Sequence, residues 1–230
     1  MKEGKKMKKK LALIHTVNNF KELIYDPFGL PFAKANPDIE IVNFMDDTLL
    51  RETLDAGHCT KAVMRRINSY VANAASVGCD CAMVTCTSVN LAAKFIRPLS
   101  PIPFFNIDEP VAKTAVASAK RIGVLATLPT SPKGTVRLLE EEAANVGKEI
   151  EIVTKVADGA FDLLCAGNRP GHDEMVCKAL YELAKEVDLI VFAQISMSLL
   201  KYEECGVPIL KIGTSGFDFA KEIILGNVTV

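Results

Sequence analysis

Residues 80–90 read Asp-Cys-Ala-Met-Val-Thr-Cys-Thr-Ser-Val-Asn, and the apolar residues 91–93 follow them. The apolar first half predicts a short buried strand, and the small polar residues predict a turn into a helix. Cys86 is therefore expected between the carboxyl end of a strand and the N-terminus of a helix. Ligands of open α/β sheets bind at this edge, and a helix N-terminus favours anions and lowers the pKa of a thiol. We expect Cys86 to lie in a ligand site with a lowered pKa.

A second stretch of the same kind lies in the other half of the chain. Residues 188–197 read Asp-Leu-Ile-Val-Phe-Ala-Gln-Ile-Ser-Met. When the two stretches are aligned on their first aspartates, Gln194 falls opposite Cys86, and Ser196 falls opposite Ser88. The sequence thus predicts two equivalent strand ends that face a shared site. Only the first of these strand ends carries a thiol.

The rest of the chain alternates between predicted strands and predicted helices. Most of the strands are apolar throughout, which is typical of parallel sheets that are covered on both faces. We predict an α/β fold of two pseudo-symmetric lobes, each a parallel sheet flanked by helices, with the site in the cleft between them. The first lobe is expected to comprise residues 8–107 and a C-terminal helix 214–230, and the second to comprise residues 108–213.

The composition narrows the classes of partner. The formal net charge of −1 gives no indication of a nucleic acid or an anionic membrane as a partner. The lysine-rich start is followed by an apolar run too short for a signal-peptide core or a bilayer span. The chain has seven cysteines, an odd number, and this count together with the short apolar run predicts reduced thiols in the cytoplasm. Cys79 and Cys81 lack a paired second motif, so no metal site is expected.

The motif Val-Thr-Cys-Thr-Ser at residues 84–88 is the most specific part of a wider pattern. Supporting pieces are residues 12–16, 122–127 and 188–196, so the pattern runs over nearly the whole chain. It resembles the aspartate/glutamate/hydantoin racemase superfamily. The resemblance implies an isomerase without a cofactor, a homodimer, and a fold of two pseudo-symmetric α/β lobes with the site between them.

The resemblance also implies a chemistry. Racemases of that family place one cysteine on each face of the α-carbon of a small carboxylate or amino acid. Cys86 matches the first cysteine, and Gln194 stands where the second is expected, although an amide has no useful proton at neutral pH. The resemblance implies two reactions for a single cysteine: decarboxylation with one proton donor, or cis–trans isomerisation through covalent addition to a double bond. Cys86 matches the cysteine of the maleate-isomerase branch, whereas the decarboxylase branch keeps the other one. A non-catalytic carboxylate-binding protein is the remaining alternative.

Small hydroxyl residues cluster at the predicted strand ends. Their hydroxyl and backbone N–H groups form charge-assisted hydrogen bonds to carboxylates, and no arginine occupies these turns. The candidate catalytic residues are Cys86 and Gln194, and the candidate substrate-binding residues are Thr16, Thr87, Ser88, Thr127, Thr130, Ser131 and Ser196.

Three local features carry further predictions. Residues 213–216, Gly-Thr-Ser-Gly, predict a loop that leads into a terminal helix from Phe217. His15 is a possible second acid or base, but a buried histidine with satisfied hydrogen bonds is favoured. His172 is expected in a polar, solvated loop, and Asp108 is expected to stabilise a helix start.

Overall fold

The computed structural model describes residues 8–230, and its centre is a pair of four-stranded parallel sheets. The strand orders, β2-β1-β3-β4 and β6-β5-β7-β8, are equivalent. Strand β3, which leads to Cys86, therefore corresponds to β7, which leads to Gln194. The predicted α/β class with two similar sheets is confirmed. The strands are β1 (Lys9–His15), β2 (Ile39–Met45), β3 (Cys81–Val84), β4 (Phe104–Asn106), β5 (Arg121–Ala126), β6 (Glu151–Val156), β7 (Leu189–Phe192) and β8 (Ile209–Leu210).

Helices connect the strands and cover both faces of each sheet. They are α1 (Leu30–Ala35), α2 (Thr48–Ala56), α3 (Lys61–Ser76), α4 (Leu91–Ile96), α5 (Glu109–Ser118), α6 (Thr130–Asn145), α7 (Ala160–Cys165), α8 (Arg169–Leu183) and α9 (Ile212–Ile224). A π-helical segment, Lys21–Gly29, precedes α1. The sequence did not predict this segment, α1, α2 or α7, because they are short and partly irregular. None of the helices within residues 8–230 is long and apolar enough to cross a membrane.

The core has three layers, which follow from the alternation of side chains along each strand. Leu11 and Leu13 of β1 point into a central apolar cluster, which also contains Ile122 and Val124 of β5. The residues in between point outward on each sheet and pack against α3 and α4 in the first lobe and α8 in the second. The two sheets thus share one central core, which positions their strand ends relative to each other.

Helix α9 begins earlier than the sequence predicted, and it ends at Ile224 rather than at residue 230. It begins at Ile212 rather than at Phe217, so Gly213 and Gly216 lie inside it. A Cβ at Gly213 would lie 2.3 Å from Cε1 of Phe28, and one at Gly216 would lie 2.4 Å from Cγ1 of Ile107. The two glycines therefore allow close packing, and they do not mark a loop. This packing places α9 against β1 and β3 of the first sheet.

Candidate active site

The carboxyl ends of β3 and β7 open into a small cavity between the two lobes. Its volume is about 50 Å³. The structure brings most of the predicted site residues together here: the lining includes Thr16, Cys86, Thr87, Ser88, Ser131, Gln194 and Ser196. Thr127 lies just behind Gln194 and does not line the cavity. The side chain of Thr130 lies outside the described part of the structure.

Cys86 is partly buried at the polar end of this cavity. Burial raises the pKa of its thiol, and four hydrogen bonds oppose the rise, from the Thr16 and Ser88 hydroxyls and from the N–H groups of Ser88 and Val89. The pKa is raised overall, so the expected lowering is wrong. Helix α4 has only six residues and begins after a 3-10 turn, Thr87–Val89, and the loss of solvation outweighs its dipole.

Gln194 faces the cavity from the second lobe with a fixed amide. Its Oε1 accepts hydrogen bonds from the backbone N–H of Thr127 at 2.5 Å and from the Thr127 hydroxyl at 3.0 Å. Within residues 8–230 its Nε2 has no hydrogen-bond partner. Because Oε1 is occupied, Nε2 is the donor that Gln194 offers to a ligand.

The lobes are joined next to the cavity by side chains that the sequence analysis missed. Asn90, which ends the turn after Cys86, donates from Nδ2 to Oδ2 of Asp108 at 2.9 Å and accepts from Nη2 of Arg137 at 3.0 Å. A Cβ at Gly134 of α6 would lie 2.8 Å from Oδ1 of Asn90. This close contact anchors the Cys86 turn to the second lobe.

Asp108 is buried, which the helix-start interpretation did not anticipate. Its carboxylate accepts hydrogen bonds from the amides of Asn90 and Asn106. Loss of solvation raises its pKa to about 6, since these hydrogen bonds offset only part of the penalty. In the sequence, only Asn90 points to this network, because it is the last residue of the stretch 80–90 that contains Cys86.

The histidines do not contribute to the cavity lining. His15 is buried, with Nδ1 at 3.0 Å from the Thr85 hydroxyl and Nε2 at 2.9 Å from Oδ1 of Asn43. Loss of solvation lowers its pKa to about 4, so it is a neutral core histidine, as favoured from the sequence. His172 is also buried, within the first turn of α8, so its prediction as a solvated loop residue is wrong.

Apolar side chains form the other side of the cavity. They come from both lobes: Val17, Leu23, Ile24 and Leu50 from the first, and Leu128, Phe161 and Ile195 from the second. Four of them lie on segments whose helical structure the sequence did not predict. The cavity therefore has one polar side around Cys86 and one apolar side.

A larger groove of about 680 Å³ lies on the far side of α4, between α4, α5 and α6. Several of its charged side chains are paired with one another, among them Lys94 with Glu141 at 2.6 Å and Arg97 with Glu109 at 2.6 Å. No cysteine or histidine is among its described lining residues. The small cavity at Cys86 is therefore the better candidate for chemistry.

The family model for Asp/Glu/Hydantoin racemase matches residues 44–223, so the chain belongs to this family. Its members are racemases, which places the chain in a class of enzymes. Residues 44–223 include both Cys86 and Gln194, the two ends of the candidate site.

Solved structures with the same fold include racemases and a decarboxylase. An aspartate racemase homologue from Pyrococcus horikoshii has a TM-score of 0.71 at 12% identity, covering 94% of this chain and 99% of that chain. The allantoin racemase of Pseudomonas fluorescens has a TM-score of 0.64 at 16% identity, covering 96% of this chain and 92% of that chain. A mutant of arylmalonate decarboxylase has a TM-score of 0.60 at 13% identity, covering 95% of this chain and 94% of that chain. A search of curated proteins found no match.

Proposed function

We propose that this protein is an enzyme of the isomerase type that moves a proton at the α-carbon of a small carboxylate, with Cys86 as the acid and base. The observation that carries the proposal is the position of Cys86. It lies in the cavity where the two lobes meet, surrounded by hydroxyl and N–H donors. Among the described lining residues, Cys86 is the only one with an ionisable side chain.

The donors around Cys86 suit a carboxylate and the enolate-like intermediate that forms from it. Ser88 and Ser131 lie 3.3 Å apart across the two lobes, and Nε2 of Gln194 adds a donor from the second lobe. Donors aimed at an oxygen where charge develops lower the barrier to removal of the α-proton. Cys86 would take that proton as a thiolate and return it as a thiol.

Decarboxylation is a second candidate reaction, favoured by the asymmetry between Cys86 and Gln194. Inversion at the α-carbon needs an acid or base on each face, and Gln194 supplies neither. A raised pKa keeps the Cys86 thiol protonated at neutral pH, as a proton donor requires. In that reaction the bond to one carboxylate breaks, CO2 leaves, the electron pair stays on the α-carbon, and the thiol donates its proton to it.

Isotope exchange tests the proposal and separates the two reactions. The protein is incubated in deuterated water with L-amino acids, with 2-substituted carboxylates and with 2-substituted malonates. Deuterium at the α-carbon together with growth of the opposite enantiomer supports the isomerase, and release of CO2 supports the lyase. We expect Cys86→Ser to lower either rate about 10² to 10⁴-fold. The exposed Cys165 provides the control Cys165→Ser, which should leave the rate unchanged. A Cys86→Ser variant with the wild-type rate would overturn the proposal.

A further inference from the structure

The two sides of the cavity differ in what part of a ligand they can hold. The polar side offers hydrogen-bond donors, among them Nε2 of Gln194 and the hydroxyls of Ser88 and Ser131. A carboxylate or another strong acceptor therefore belongs on this side. The apolar side includes Leu50 of the first lobe and Phe161 of the second, so it can hold only the part of the ligand that points away from the acceptor.

Charged side chains are missing from the described lining of this cavity. A second carboxylate on the substrate would lose solvation against Leu50 and Phe161 with no cation beside it, and an ammonium would find no carboxylate. A buried charge without a partner is strongly unfavourable. The hydroxyl oxygens of the polar side can accept hydrogen bonds from an ammonium, but they carry no negative charge to offset its loss of solvation. Oε1 of Gln194 is already occupied by the Thr127 donors.

The charged residues next to Leu50 on α2 have partners elsewhere. Arg51 pairs with Asp47 at 2.7 Å, and Glu52 pairs with Arg66 at 2.5 Å. Leu50 itself is 8% exposed and faces inward. Arg51 and Glu52 therefore have partners outside the cavity, and neither belongs to its described lining.

The size of the cavity limits the ligand further. A volume of about 50 Å³ is far below the roughly 300–1,000 Å³ of pockets for drug-sized ligands. Three residues of the apolar side are only partly buried: Leu23, Leu128 and Phe161. Their side chains can therefore move to admit a ligand that is larger by a few atoms. The ligand is therefore a small acid with a short side group.

We infer that the substrates are small monocarboxylic acids with a short, uncharged, apolar substituent on the α-carbon, and that free amino acids and dicarboxylates such as aspartate and glutamate are rejected. This inference rests on the proposed function, since it assigns the Cys86 side of the cavity to the reacting carboxylate. The inference applies to the isomerase reaction, because the malonate substrate of the lyase carries a second carboxylate. Release of CO2 from a 2-substituted malonate would therefore contradict the inference.

Titration calorimetry of the whole chain with three four-carbon acids tests it. Butyrate carries only an apolar tail, succinate adds a second carboxylate, and L-2-aminobutyrate adds an ammonium. We expect butyrate to bind at least about tenfold more tightly than either of the others, a difference of about 1.4 kcal/mol. Equal or tighter binding of succinate or aminobutyrate, or no binding of butyrate, would overturn the inference.

Variants of the apolar wall sharpen the test. Leu50→Arg places a cation there, and we expect it to raise the affinity for succinate relative to butyrate at least about tenfold. Phe161→Arg makes the same change from the other lobe at a partly buried position, so it covers the case in which Leu50→Arg does not fold. Ala56→Arg adds the same charge at an exposed position of α2 and should leave the ratio unchanged. An unchanged ratio in both wall variants, when folded, would count against the inference.

The inference and the proposed function fail in different ways. Preferred binding of butyrate with no α-proton exchange or CO2 release from any 2-substituted acid contradicts the proposed function alone. Exchange that depends on Cys86 but is fastest with aspartate or glutamate contradicts the inference alone.

Discussion

Oε1 of Gln194 accepts two hydrogen bonds from Thr127, one from its backbone N–H and one from its hydroxyl, at 2.5 and 3.0 Å. These contacts fix which end of the amide faces the ligand. The residue opposite Cys86 has no acid or base function, because an amide does not titrate near neutral pH. The asymmetry between the two strand ends is thus a structural property of the site.

Gln194→Cys should restore the missing acid or base. A thiol at this position faces Cys86 across the cavity, so one group can remove a proton while the other donates one. We expect inversion at the α-carbon to rise at least about tenfold, measured by chiral chromatography of a single enantiomer. Gln194→Ser, which has no useful proton, is the matched control. If both variants invert the substrate at the same rate, the amide is not what prevents inversion.

Cys86 should react slowly with iodoacetamide at neutral pH. Burial raises the pKa of its thiol above the ordinary value of 9.0, and the thiolate is the reactive form. Its alkylation rate, followed by peptide mass spectrometry, should therefore still be rising above pH 9. Thr16→Val removes a hydrogen bond that lowers this pKa and should slow alkylation at a fixed pH. Thr214→Val, at an exposed position of α9, should have no effect. A rate that levels off near pH 7 would contradict the raised pKa.

Asp108→Asn should change how stability depends on pH. The folded-state pKa of Asp108 is raised from 3.8 to about 6, so the carboxyl contributes stability below pH 3.8 that is lost as the pH rises through about 6. Since one pKa unit corresponds to about 1.4 kcal/mol, the full loss is on the order of 3 kcal/mol. Asn106 can rotate its amide to serve the new side chain, because its buried Oδ1 has no partner among the described residues.

Urea unfolding of the wild type and of Asp108→Asn at about pH 4 and pH 7 measures this difference. Because the two proteins share every other titratable group, the difference between their unfolding free energies reports the titration of Asp108. Between pH 4 and pH 7 the wild type should lose more unfolding free energy than Asp108→Asn does. Asp55→Asn, at an exposed position of α2, is the control. Parallel stability curves for the wild type and Asp108→Asn would show that Asp108 is not the group responsible.

Gly216→Ala should destabilise the protein. The added Cβ would lie 2.4 Å from Cγ1 and 2.9 Å from the backbone oxygen of Ile107, and the backbone atom cannot move aside easily. Overpacking of this kind costs about 1–3 kcal/mol, which urea unfolding detects. Thr214→Ala, at an exposed position of the same helix, should be neutral within about 0.5 kcal/mol. Equal stability of the two variants would refute the packing role of Gly216.

Much of the site could be predicted because its residues lie at the ends of apolar strands. Parallel strands carry their carboxyl ends to one edge of the sheet, so two such stretches in a repeated fold bring Cys86 and Gln194 to equivalent edges. Ser88 and Ser131 followed from the same rule. Helix boundaries near glycine were less predictable: the loop expected at Gly213 and Gly216 is part of α9, since their contacts with Phe28 and Ile107 come from distant parts of the chain.

The sequence by itself determined the α/β class, the family, and which strand ends carry the thiol and the amide, because these depend on local periodicity and on the short motif around Cys86. The tertiary structure decided the direction of the Cys86 pKa, the orientation of the Gln194 amide and the apolar wall formed by Leu50 and Phe161. Each of these depends on solvation and on contacts between residues far apart in the chain, and no local pattern records them.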